Sequence, residues 1–190
     1  MKAIQFLKTA ALATIVLFSS CSKDDNDSQN PNPSTSAYFS AKVDNQSFPK
    51  AELQRTTAKF VSSTKMLQII GQPEDQKETI VLNLMPFGGT VSTAADWKPG
   101  TYDFDPIHVT NLEYLASAEY NKWNGNSYDQ WFTNWEYVKI GKIIIESNTG
   151  THIKGTFSFD AVFKNNDGTF NSSSIKKITE GKFDLDIKML

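Results

Sequence analysis

A chain of 190 residues with 19 Lys and Arg against 21 Asp and Glu carries a formal net charge of −2. It lacks the clustered positive charge that neutralising a nucleic-acid backbone requires, so no nucleic-acid partner is expected. Its single cysteine has no partner for an internal disulfide, and a length of this order fits one domain whose core rests on apolar packing.

The N-terminus opens with Met1, Lys2 and Lys8, followed by an apolar run from Ala10 to Phe18 and then Ser19-Ser20-Cys21. That run is too short to span a bilayer, which takes roughly 20 residues. A basic start, a short apolar middle and small residues before a thiol make the layout of a cleaved bacterial lipoprotein signal. Residues 1–20 are the expected signal peptide and Cys21 the expected lipidation site. Phe18 departs from the usual pattern, which carries Leu three positions before the cysteine. Cleavage removes Lys2 and Lys8 and no acid, taking the formal charge from −2 to −4.

From Ser22 to Ser36 there is no apolar residue, so the segment cannot bury enough surface to offset the entropy of ordering it. Pro31 and Pro33 favour an extended spacer. Residues 21–36 thus read as a lipidated cysteine on an acidic, disordered tether, and residues 37–190 as a single domain. The run Cys21-Ser22-Lys23-Asp24-Asp25 resembles the surface-export signal of Bacteroidota lipoproteins, in which a Lys and acidic residues follow the lipidated cysteine. That resemblance implies that Lys23, Asp24 and Asp25 are an export address and that the protein sits on the outer membrane facing the exterior. A merely solvated tether is the other reading of the same residues.

Period two dominates the domain. Phe39, Ala41 and Val43 alternate with polar neighbours, and Asp44-Asn45 supplies a turn before Phe48. Residues 66–71 and 78–85 are β-rich and are separated by a turn at Gly71-Gln72-Pro73-Glu74-Asp75. Tyr114, Ala116, Ala118 and Tyr120 share one face of a further strand. Asp129 to Tyr137 is the one place where a short helix is expected, with Trp131, Phe132 and Trp135 on one side. Ile143-Ile144-Ile145 shows no alternation, which suggests a strand covered on both sides. Ile153, Gly155, Phe157, Phe159, Ala161 and Phe163 form the inner face of a long strand, bounded by turns at 147–150 and 165–168. Phe183, Leu185 and Ile187 end the chain in the same way. The expected fold is all-β, an antiparallel β-sandwich or barrel of about 8–10 strands.

Gly155-Thr156-Phe157-Ser158-Phe159-Asp160-Ala161, Asp167-Gly168 and Ile178-Thr179-Glu180-Gly181-Lys182-Phe183 together resemble a family of small Bacteroidota surface lipoproteins of unknown function. Its members pair a Gly-Thr-Phe-Ser-Phe strand with a final Thr-x-Gly-x-Phe strand. Phe39 to Asp44 and Gly100-Thr101-Tyr102 resemble the opening strand and a middle turn-and-strand element of that family. The resemblance implies an all-β fold and a cell-surface location, and brings no activity with it.

The most concentrated chemistry lies between Tyr114 and Tyr137, where Tyr120, Trp123, Tyr128, Trp131, Phe132 and Trp135 are interleaved with Asn121, Asn124, Asn126, Gln130 and Asn134. Flat aromatic faces beside amides suit a sugar ring, a hydrophobic ligand or a protein partner. Trp123, Tyr128, Trp131 and Trp135 are the candidate binding residues. The same aromatics could instead plug one end of the fold as core. His108 and His152 stand far apart in sequence without further ligands at zinc spacing, Asp103 and Asp105 lack a calcium-loop pattern, and no Gly-x-Ser-x-Gly elbow is present. No cofactor, metal or catalytic residue is expected. A non-catalytic binding protein is the leading expectation. A structural or accessory subunit of an envelope complex and a hydrolase with an unrecognised site are the alternatives.

Overall fold

The computed structural model describes residues 38–48, 55–87, 89–104, 113–134 and 136–190, all within one unit that spans Thr35–Leu190. Among these residues eleven strands run in chain order: β1 (Tyr38–Val43), β2 (Gln46–Ser47), β3 (Thr57–Val61), β4 (Met66–Gly71), β5 (Glu78–Pro86), β6 (Gly100–Asp103), β7 (Tyr114–Trp123), β8 (Tyr128–Phe132), β9 (Lys142–Asn148), β10 (His152–Lys164) and β11 (Phe170–Met189). Among the described residues a single 3₁₀ turn, Ala94–Asp96, interrupts the β structure. No helix among the described residues is long and apolar enough to cross a membrane.

The strands form one sheet in the order β2-β1-β11-β3-β4-β5-β7-β8-β10-β9-β6, and β10 also pairs with β11. That extra pairing closes the sheet. The β10–β11 ribbon carries β8 on the far end of β10 (Val162 opposite Phe132) and β3 on the far end of β11 (Ile187 opposite Ala58). A circuit therefore runs through β3, β4, β5, β7, β8, β10 and β11, while β1–β2 and β9–β6 widen the side that contains the ribbon. The result is one large, barrel-like closed sheet, and the expected all-β class holds. One pairing, β11 with β3, is parallel, so the sheet is mixed rather than wholly antiparallel.

Alternation places the core as the sequence suggests. Phe157 and Phe159 point inward with Ile153 and Ala161, and Phe183, Leu185 and Ile187 meet them from β11. Phe48, Phe39, Phe157 and Phe183 form a continuous chain of rings 5.2–6.4 Å apart. Side chains of this size each contribute several kcal/mol when buried, about 3–5 kcal/mol as judged by truncation to Ala. The β1–β2 hairpin turns through Asp44 and Asn45, both left-handed (φ 50° and 66°), a backbone that short polar side chains tolerate best after glycine.

Two local expectations are corrected. Residues 129–137 do not begin a helix: Tyr128–Phe132 is strand β8, bonded to β7 on one side and to β10 on the other. Sheet pairing on both edges outweighs the weak helical spacing, and it puts Trp131 and Phe132 on opposite faces rather than the same one. Ile143 and Ile145 of β9 are buried but Ile144 faces outward and is only partly covered, so β9 does alternate.

Candidate functional site

Cys21, Lys23, Asp24, Asp25, Asp105, His108 and Trp135 lie outside the described residues. The remaining candidates are divided by the β7–β8 hairpin. Tyr120 and Trp131 are partners across it and both face inward, while Trp123 and Tyr128 are partners at its tip and face outward.

Trp131 is 6% exposed. Its ring packs 5.6 Å from Tyr120 and 5.2 Å from Phe163, and its indole N–H donates to Ser174 Oγ at 3.2 Å. Burial pushes the Tyr120 hydroxyl pKa well up, with the Glu78 carboxylate adding to the effect. These two rings belong to the core, so the aromatic segment is not one continuous exposed platform. The fourth tryptophan, Trp97, is also buried. It packs against Tyr102 and donates its indole N–H to the Lys65 carbonyl, and Asn148 Nδ2 holds its segment through the Ala94 and Trp97 carbonyls at 2.8 Å each.

Trp123 and Tyr128 are 39% and 42% exposed. Their rings sit edge to face with centroids 5.2 Å apart, an arrangement favoured by the aromatic quadrupole and worth roughly 0.2–1 kcal/mol as a cross-strand pair. The pair is held rigidly. Tyr128 donates its hydroxyl to the Gln76 carbonyl at 2.6 Å, and the Trp123 backbone N–H donates to the Lys77 carbonyl at 2.7 Å. Both bonds tie the hairpin tip to the β4–β5 loop. Between the two aromatics, Asn124 Oδ1 accepts from the Asn126 and Ser127 backbone N–H groups at 3.0 Å each, and Asn124 Nδ2 donates to Asp129 Oδ1 at 2.8 Å. Gly125, with φ 104°, makes the tight turn possible.

Tyr128 stands between two hollows. One, of about 310 Å³, is lined by Asp75, Gln76, Lys77 and Trp123. The other, of about 580 Å³, lies between the hairpin tip and the β10–β11 turn and is lined by Asp129, Gln130, Lys164, Asn166 and Asp167 among others. Its far wall is also fixed: the Thr169 N–H and hydroxyl donate to Asp167 Oδ1 at 2.9 and 2.7 Å, which holds that carboxyl below the usual carboxylate range. The sequence marked 71–75 and 165–168 only as turns. Their position beside Tyr128 comes from strand pairing between distant segments, which local patterning does not carry.

His152 has an unexpected setting. Its Nδ1 lies 2.8 Å from Asp186 Oδ1 and its Nε2 lies 2.6 Å from Asp184 Oδ1. Two carboxylate acceptors satisfy both nitrogens only when both carry protons. The bond to Asp186, and then that to Asp184 against some opposing burial, raise the imidazole pKa above its ordinary 6.5. A ring held in this way has no free lone pair with which to act as a general base. Alternation alone places Asp184 and Asp186 on one face, but only the antiparallel register of β10 and β11 brings His152 to them. Among the described residues, no group of three or more His, Cys, Asp and Glu has the arrangement of a metal site.

A family described as "Domain of unknown function (DUF6252)" matches residues 35–184. The chain belongs to this DUF6252 family. No curated protein and no solved structure matches the chain. The DUF6252 match runs from just before β1 into β11 and ends before Ile187–Met189, where β11 pairs with β3, so it covers the Trp123–Tyr128 pair and both hollows beside it.

Proposed function

We propose that this DUF6252 protein is a lipid-anchored protein of the outer-membrane surface that binds carbohydrate, without catalysis, at the Trp123–Tyr128 tip. The observation that carries the reading is an exposed, pinned aromatic pair beside a polar hollow. Burying large apolar rings is the default for a β domain, so rings left in solvent at a rigid hairpin tip call for a partner. Trp and Tyr offer broad contact area at low entropic cost. A hollow rich in amides and carboxylates matches the hydroxyls of a sugar better than it matches an apolar ligand. The anchor at Cys21 and the Lys23-Asp24-Asp25 address are supported by the signal layout and by the resemblance to Bacteroidota lipoproteins. A glycan array probed with the chain carrying Trp123→Ala beside the unaltered chain tests the reading. Neutral-glycan hits that vanish in the variant support it, and neutral-glycan hits that persist unchanged overturn it.

A second reading, an accessory subunit, draws on a different surface. Met85 and Leu115 are partners across β5 and β7 and are exposed together, with exposed Phe87 next to them. Such a patch suits a protein interface. Crosslinking from a cysteine placed at Leu115 would capture a protein neighbour in the envelope under this reading and none under the first.

A further inference from the structure

The outer face of the ribbon side carries a second hollow, distinct from the aromatic tip. Strand β11 holds one extra residue at Thr179–Glu180. Lys182 pairs with Ser40, but Thr179 pairs with Lys42, and on the other edge Phe157 pairs with Gly181 while Phe159 pairs with Ile178. Glu180 takes the left-handed conformation (φ 52°) that such a bulge uses. A bulge bends its strand, and here the bend opens the outer face into a hollow of about 560 Å³. That volume lies in the range of small-molecule sites, about 300–1,000 Å³.

The lining has a definite chemistry. Ser40, Lys182, Thr156 and Ile144 form one row of partners across four strands, and Lys42, Glu180, Ser158 and Lys142 lie alongside. Three ammonium groups therefore face one carboxylate. Lys42 takes up that carboxylate, its Nζ donating to Glu180 Oε1 at 2.7 Å. Among the described residues, neither Lys142 nor Lys182 has a carboxylate within ion-pair distance. Two cations are thus left in a hollow with hydroxyl groups and the apolar side chains of Ala41, Phe48, Ile144 and Phe157, on a chain whose overall charge is negative. Like charges held near one another raise the local potential and draw an anion.

We propose that this hollow is a binding site for an anionic sugar, its carboxylate or phosphate held by Lys142 and Lys182, its hydroxyls by Ser40, Thr156 and Ser158, and its apolar face against Ile144. The site is independent of the Trp123–Tyr128 tip and stands if that reading fails.

Isotope-labelled chain carrying Cys21→Ser is titrated with glucuronate, with inorganic phosphate and with neutral glucose while backbone amide signals are followed. The site predicts saturable shifts at Thr156, Gly181 and Lys182 with at least one of the two anions, and none with glucose. Which anion saturates distinguishes a carboxylated from a phosphorylated ligand. Replacing Lys142 and Lys182 together by Gln should weaken binding by about tenfold or more, the size expected for losing partly screened unit charges at contact range. Trp123→Ala should leave these shifts intact. No saturable shift with either anion overturns the proposal, as does a Lys142→Gln/Lys182→Gln variant that melts normally and binds as tightly as the unaltered chain.

Discussion

The ring of Phe157 fills the space that a side chain at Gly181 would need: a Cβ there would lie 2.5 Å from Phe157 Cε2. Gly155, two residues before Phe157, is closed off in the same way by the Ile144 carbonyl and the tip of Phe183. The two glycines and two phenylalanines of the Gly-Thr-Phe and Thr-x-Gly-x-Phe motifs are therefore one packing unit, where β10 and β11 face each other and Phe157 and Phe183 stack 6.4 Å apart.

Gly181→Ala should accordingly destabilise the domain by about 1–3 kcal/mol through overpacking, and Phe157→Ala by about 3–5 kcal/mol through the cavity it leaves. Combining Gly181→Ala with Phe157→Ala should cost less than the sum of the two single changes, because they compete for one space. Urea unfolding measures all three. A Gly181→Ala midpoint equal to that of the unaltered chain would show that the ring can move aside freely.

The tryptophans should separate into two classes. Trp131→Ala should cost about 3–5 kcal/mol of stability, as for a buried large side chain, while Trp123→Ala should cost less than about 1 kcal/mol, the scale of an exposed cross-strand pair. Chemical unfolding of the two variants, with acrylamide quenching of the unaltered chain, checks the division. Equal losses from the two would place both rings in the core.

These two cases also show what the sequence held. The inward run from Ile153 to Ala161 was legible because each side chain repeats at the strand period and the turns at 147–150 and 165–168 bound it. Trp131 was not separable from Trp123, since seven residues that include a hairpin turn lie between them and the face each takes depends on where the turn falls. The β8 strand was obscured because its burial is uneven along its short length, which mimics a helical spacing until its partners on β7 and β10 are known. The hollow beside Tyr128 and the lysine hollow at the bulge both join segments far apart in the chain. A one-residue bulge shifts register without leaving any compositional mark.

The Asp184–His152–Asp186 clamp makes stability depend on pH in a defined direction. The folded imidazole has a raised pKa, so the clamp contributes fully below the ordinary 6.5 and its contribution is lost as pH rises through the folded value. Stability should decline across that interval relative to a His152→Gln variant. The slope should be shallow, because the side chain of Asp186 is largely exposed. Urea midpoints taken from mildly acidic to mildly alkaline pH test this; parallel curves for the two proteins would remove the clamp as an ionic contact.

At the N-terminus, Cys21→Ser should abolish acylation and release the chain from membranes, since more than one acyl chain is needed for a stable anchor. Replacing Lys23, Asp24 and Asp25 by Ala should leave acylation intact but hide the domain from protease added to whole cells. Acyl labelling and protease shaving read the two separately. Unchanged shaving of the triple variant would reduce those residues to tether.

The carbohydrate reading can be examined most directly through the indole N–H signals of the folded chain during titration with a neutral glycan identified on the array. The Trp123 signal should shift and saturate with ligand while those of Trp97 and Trp131 stay in place, because only Trp123 of the three stands at the surface beside the polar hollows. A saturable response elsewhere in the domain with the Trp123 signal unmoved would contradict the assignment of the binding site.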